Sequence, residues 1–262
     1  MAWYRRKTPL EREWELLLKK ESVYLKKRTE KKESFLSAKL AEKVPANLQN
    51  TLDAAFAKAF ELIFRKGTGI IEKTYGEKKR RSDYRIREYS DLQKQNRKSL
   101  RVFGKAAQSA GTGNILLSGA AGVGMGLMGV GIPDIPVFTA LLLKNIYEIA
   151  LSFGYGHRSE REQIFILLLI EGALSCGEDC EAIDARINTL IQQRAVPEGY
   201  DCEEQIRKSA KALSRELLTM KFLQGIPLVG VVGGAFDAKV MAQIGDYAKL
   251  KYQRRLLLRK MD

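Results

Sequence analysis

The sequence predicts a mainly α-helical fold, and three observations carry that prediction. Apolar residues recur at three- and four-residue intervals over most of the chain, the period that lines one face of a helix. Few segments alternate with period two, so strand signals are scarce. Two apolar, glycine-rich segments, 106–133 and 222–236, each border a helical pattern, which suggests two helical segments packed together. A chain of 262 residues is long enough for one domain with a real core. The reading is a single helical domain over 45–262, preceded by a basic amphipathic helical arm over 1–44.

The elements follow in order. Between Leu10 and Leu40, the residues Leu10, Trp14, Leu17 and Leu18 keep helical spacing beside the basic clusters Lys26-Lys27-Arg28 and Lys31-Lys32. After Pro45, a clear amphipathic helix carries Leu48, Leu52, Phe56, Phe60 and Phe64. Gly67-Thr68-Gly69 interrupts it, and a further helical stretch reaches Tyr75. The span from Glu77 to Ser99 is highly polar and contains Lys78-Lys79-Arg80-Arg81, so it reads as a loop or a solvated helix face. Val137 to Phe153 forms an amphipathic helix that stops at Gly154-Tyr155-Gly156. Glu160 to Leu174 contains the apolar run Ile164 to Ile170, too short to cross a bilayer and suited to a buried core helix. Glu181 to Arg194 and Cys202 to Leu223 are two more helices, separated by Pro197-Glu198-Gly199. A last helix runs from Asp237 to the basic end Arg254 to Lys260.

Ala106 to Pro133 holds no charged side chain and passes the length test for a membrane span, but its eight glycines make a poor ordinary helix. Gly122-x-x-x-Gly126 and Gly230-x-x-x-Gly234 place pairs of glycines on one helical face, where they permit close helix crossing in membranes or in tight soluble bundles. Asp134, Lys144 and Glu148 follow at once, which favours peripheral or re-entrant association over a bundle of spans.

The net charge of +14 lies wholly in residues 1–105, where 28 Lys and Arg face 14 Asp and Glu; residues 106–262 hold 17 of each. A basic front half attracts anionic lipid, nucleic acid or acidic proteins. No helix-turn-helix, zinc finger or aromatic RNA platform accompanies the charge, so any nucleic-acid binding is expected to be nonspecific. The start Met1-Ala2-Trp3-Tyr4-Arg5-Arg6-Lys7 leads into no apolar segment of a secretory signal, and the three cysteines are expected as reduced thiols in a cytoplasm.

Two blocks resemble the EcsC family of bacterial proteins, named for a neighbour of an ABC-transporter ATPase and its membrane subunit. One runs from Gly111 through IPDIPVFTALLLKNIYEIALSFGYG to Glu160-Arg161; the other is GIPLVGVVGGAFDAKVMAQIGDYAKLKYQRR, from Gly225 to Arg255. The resemblance covers the chain from about residue 45 and leaves the arm out. Gly156-His157 stands where the family pattern has Gly-Asp. The resemblance implies a mostly helical protein linked to membranes and transporter operons, with no established reaction and no catalytic residues to carry over.

Gly124-Met125-Gly126-Leu127-Met128-Gly129 matches G-x-G-x-x-G but lacks the βαβ context of a dinucleotide site, and no cofactor is expected. Cys176, Cys180, Cys202 and the sole histidine, His157, are the available soft ligands; their spacing is not that of a zinc site, and Gly177 ends a helix between the first two thiols. Asp134, Glu148 and Asp237 border the glycine-rich segments. They read as helix caps and ion pairs, or alternatively as carboxylates of a hydrolase cleft.

The function expected from these residues is non-enzymatic: an accessory protein at the inner face of the cell membrane that partners an anionic lipid surface and subunits of an ABC transporter. Lys26, Lys27, Arg28, Lys78, Lys79, Arg80 and Arg81 are the expected phosphate contacts, and Met125, Leu127 and Met128 the docking or inserting apolar residues.

Overall fold

Short local signals set most helix ends in this chain. The computed structural model describes residues 6–30, 45–65, 76–126, 134–194, 200–223 and 234–262, and side chains outside 112–134 and 220–237. Among those residues there are nine α-helices and no strand. Helix α1 is Pro9–Thr29, opened by a Thr8/Glu11 capping box with proline in the first turn, where no N–H is needed. Helix α2 is Ala46–Arg65, and α3 is Glu77–Lys94, ending where Gln95 turns left-handed at φ 42°. Asn96 caps α4, Arg97–Gly126, accepting from the Ser99 N–H at 3.0 Å. Helices α5, Asp134–Ser152, and α6, Glu160–Leu174, flank the predicted turn at 154–156. Helices α7, Gly177–Gln193, α8, Cys202–Leu223, and α9, Gly234–Met261, complete the set.

The polar run from Glu77 is therefore helical, with Tyr84 and Asp91 turned inward. Burial explains the other apolar patterns. Every residue from Ile164 to Ile170 is buried, as a helix apolar on all sides requires. Among the described residues only Ile135–Ser152 on α5 is long and apolar enough to cross a membrane, and 78% of that window is buried within the fold.

Two helices organise the rest. α9 touches α1, α4, α5, α6 and α7, and α5 packs on α2, α3 and α4; α8 lies against α2 and α6. The expected arm is docked: Leu17 is fully buried, as are the side chains of Glu13, Glu21 and Arg28 nearly so.

α4 and α9 run antiparallel. Lys260 Nζ lies 5.4 Å from the Phe103 ring centroid, whereas Lys249 reaches Gln108, later on α4. Gly122 and Gly126 on α4 and Gly234 on α9 consequently face the same end of the pair, and Gly230 is outside the described residues. A close approach is visible farther along α9, where a Cβ on Gly245 would stand 3.1 Å from Nδ2 of buried Asn145 on α5.

Gly154 is fixed twice over. Its φ of +85° is left-handed, and a Cβ there would fall 2.3 Å from the Tyr84 ring. Gly177, at φ +60°, has open space instead. Gly154→Ala is expected to lower the unfolding free energy by about 3 kcal/mol, from backbone strain plus overpacking, and Gly177→Ala by only about 1 kcal/mol, from strain alone. Urea denaturation of the two variants measures the difference.

Candidate functional site

Of the three expected carboxylates, the described structure places one side chain. Glu148 on α5 is buried, with Arg80 Nη2 of α3 at 2.9 Å from Oε2 and Lys144 Nζ at 4.0 Å from Oε1. Two cations from two helices hold it as an ion pair. Asp134 and Asp237 fall in the first turns of α5 and α9, with side chains outside the description, as is that of Met125. Leu127 and Met128 lie outside the described residues.

The richer polar chemistry follows α9. Lys251 Nζ sits 2.7 Å from Asp184 Oδ1 and 3.1 Å from Glu21 Oε1, and donates to Asn188 Oδ1 at 3.0 Å. Tyr247 donates to Asp184 Oδ1 at 2.6 Å. One turn on, Arg255 forks onto both oxygens of Glu162 at 2.7 and 3.0 Å while the Tyr252 hydroxyl donates to Oε1 at 2.7 Å. Burial, reinforced by the adjacent carboxylates, raises the Tyr247 and Tyr252 phenols well above their usual range. Burial also pushes the Cys180 thiol up to about 11, so it is a protonated core group and a poor nucleophile. His157 is likewise buried and stacks on Tyr147 at 4.2 Å. Among the described residues no three His, Cys, Asp or Glu side chains are arranged to share a metal ion.

The seven basic residues expected at a membrane divide sharply. Arg28 is buried, and its guanidinium donates to the Ser175 carbonyl at 2.6 and 3.1 Å. Arg80 is committed to Glu148, and Arg81 to Glu77 at 2.6 Å. Lys26 lies 3.7 Å from Glu30 at the surface. Lys27, Lys78 and Lys79 are exposed and form no ion pair among the described residues. Beside Lys78 and Lys79, the outer face of α3 exposes Ile86, Tyr89 and Leu92 at 68%, 67% and 62%. Sequence reasoning missed this stripe, although its three-residue spacing inside a polar run was the signal.

A second surface feature joins three helices. An open cleft of about 950 Å³ runs between one face each of α1, α4 and α9. Leu16, Lys19, Lys20, Val23 and Lys27 come from α1; Arg101, Gly104, Lys105 and Gln108 from α4; Asp246, Lys249, Leu250 and Gln253 from α9. Within each set the spacing is three or four residues, the repeat of one helix face. Six basic side chains line the cleft against two acidic ones, Glu13 and Asp246. Glu13 is already neutralised by Arg97 at 2.7 Å and Arg101 at 2.9 Å, and Asp246 by Lys249 at 2.7 Å.

The sequence model of the EcsC protein family matches residues 11–257, so the match begins inside α1 and takes in the arm as well as the body. The chain is 24% identical over 247 residues to Protein EcsC of Bacillus subtilis (strain 168), an alignment covering 94% of this chain and 92% of that protein. No solved structure matches the chain.

Two measurements check the buried chemistry. Lys251→Met removes the cation shared by Glu21 and Asp184 and is expected to cost about 3–5 kcal/mol of stability in urea denaturation, as uncompensated buried charge does. For Cys180 an ordinary thiol titrates near 9 and the folded one near 11, so its protonated form stabilises the fold fully below pH 9, and that contribution is lost as pH rises toward 11. The urea midpoint is expected to hold to pH 8 and fall above 9, and Cys180→Ala to remove the earliest part of the fall.

Proposed function

Because the chain belongs to the EcsC protein family, we propose that it is a non-enzymatic accessory protein that rests on the inner, anionic face of a bacterial membrane and serves an ABC transporter there. The observation that carries the membrane reading is the outer face of α3. Ile86, Tyr89 and Leu92 project from it, and Lys78, Lys79 and Arg85 stand exposed on the same helix with no ion pair among the described residues. An apolar stripe beside cations is the composition that seats a helix in the plane of the headgroups. Tyrosine suits that depth because its ring is apolar and its hydroxyl polar. Burial of α5 supports peripheral contact over a span, since the helix apolar enough to cross is occupied in the core. The transporter link follows from the resemblance to a family tied to transporter operons.

Vesicle flotation tests the reading. The protein is expected to float with anionic phosphatidylglycerol vesicles, to be released by high salt, and to stay down with neutral phosphatidylcholine. Lys78→Glu with Lys79→Glu is expected to weaken partitioning by about 30-fold or more, at about 1 kcal/mol per cation lost. Equal recovery with neutral and anionic vesicles, or none with either, would overturn the proposal.

A further inference from the structure

We propose that the cleft between α1, α4 and α9 binds an anionic lipid with a single acyl chain. Four of its lysines, Lys19, Lys20, Lys27 and Lys105, are exposed and form no ion pair among the described residues, while the two acids nearby are already neutralised. The surplus charge calls for a carboxylate or phosphate. The apolar lining calls for something else. Leu16 and Val23 lie two turns apart on one edge of α1, about 10 Å along the axis, with Leu250 contributed by α9. Tyr24 and Phe153 line the cleft as well, so its apolar side is long enough to receive an aliphatic chain. A hydrophilic anion would leave that side wet, and a neutral hydrocarbon would leave the lysines unanswered. A volume of about 950 Å³ falls within the range of small-ligand sites.

Gly104 of α4 lines the same cleft. Glycine within a helix is unfavourable relative to alanine. Here nothing lies within 4 Å of where a Cβ would stand, its φ is unremarkable for a helix, and no neighbour presses on it. Neither backbone geometry nor packing requires a glycine at this point, and the space its missing side chain leaves opens into the cleft. The residue also provides the means of testing, because a larger side chain fills the cleft without displacing the core.

The experiment is calorimetric titration of the full chain with lysophosphatidylglycerol below its micelle concentration, in the absence of vesicles. Saturable binding is expected, at least tenfold tighter than for lysophosphatidylcholine of the same chain length, with none for glycerol 3-phosphate. Gly104→Ala is expected to raise the unfolding midpoint and keep binding. Gly104→Trp should stay folded and lose at least tenfold in affinity; Lys19→Glu with Lys105→Glu should lose as much for the anionic lipid alone. Lys78→Glu with Lys79→Glu should leave this affinity unchanged, which separates the cleft from the α3 surface. Absence of binding by the wild type, equal affinity for the two lysolipids, or full affinity in a folded Gly104→Trp protein would overturn the proposal.

Discussion

The fold turns on one helix whose cations from Lys251 to Lys260 pair with groups on four other helices. Along α9, Lys251 and Arg254 meet Glu21 of α1, Lys251 also meets Asp184 of α7, and Arg255 meets Glu162 of α6. Arg259 donates to the Tyr84 hydroxyl and Lys260 pairs with Asp91 at 2.8 Å, both on α3. Four helices are thus indexed against a fifth by charge. A slide of α9 by one turn would strand several of these groups at once, at a cost that apolar packing alone would not impose.

Such pairs do little for net stability, because desolvation consumes most of the Coulomb gain. Their effect is positional. Arg255 lies 4.0 Å over the Tyr155 ring and 4.4 Å over Phe165 while its fork holds Glu162, so the guanidinium is fixed from its faces and its edge together. Around this scaffold, part of the positive charge of the front half is drawn in: Arg28 and Arg80 enter the structure, and Lys19, Lys20, Lys27, Lys78, Lys79 and Lys105 are left at the surface. For Arg28 and Arg80 the guanidinium suits the inside position, since its weakly hydrated, planar fork loses less on burial than an ammonium does.

The sequence was legible where local chemistry decides the outcome. Helical class, the buried run from Ile164 to Ile170 and the turn at Gly154 follow from periodicity and glycine, whereas the expected helix end at Gly177 is displaced: α6 stops at Leu174, and Gly177 opens α7. It was less legible at α1, where the inward stripe includes Glu13, Glu21 and Arg28, because an apolar-period search passes over buried charge. The α3 helix was hidden in the same way: its inward residues are Tyr84 and Asp91, too few and too polar to announce an amphipathic face. The cleft was out of reach altogether. Its lining comes from residues near 20, near 105 and near 250, and only the antiparallel pairing of α4 with α9 beneath α1 brings them together.

The clasp between α1 and α9 also sets a clock. Glu21 finds Lys251 across 230 residues of chain and Arg254 across 233, so α1 is completed by a helix synthesised much later. At the usual elongation rate of 5–20 residues per second, Glu21 waits about 10 to 45 seconds for these two cations to be synthesised. During that interval α1 has only its earlier partners, Arg97 and Arg101 for Glu13 and the Ser175 carbonyl for Arg28. The Glu21 pairs with Lys251 and Arg254 accordingly cannot close until α9 has been made, whatever α1 has packed against before then.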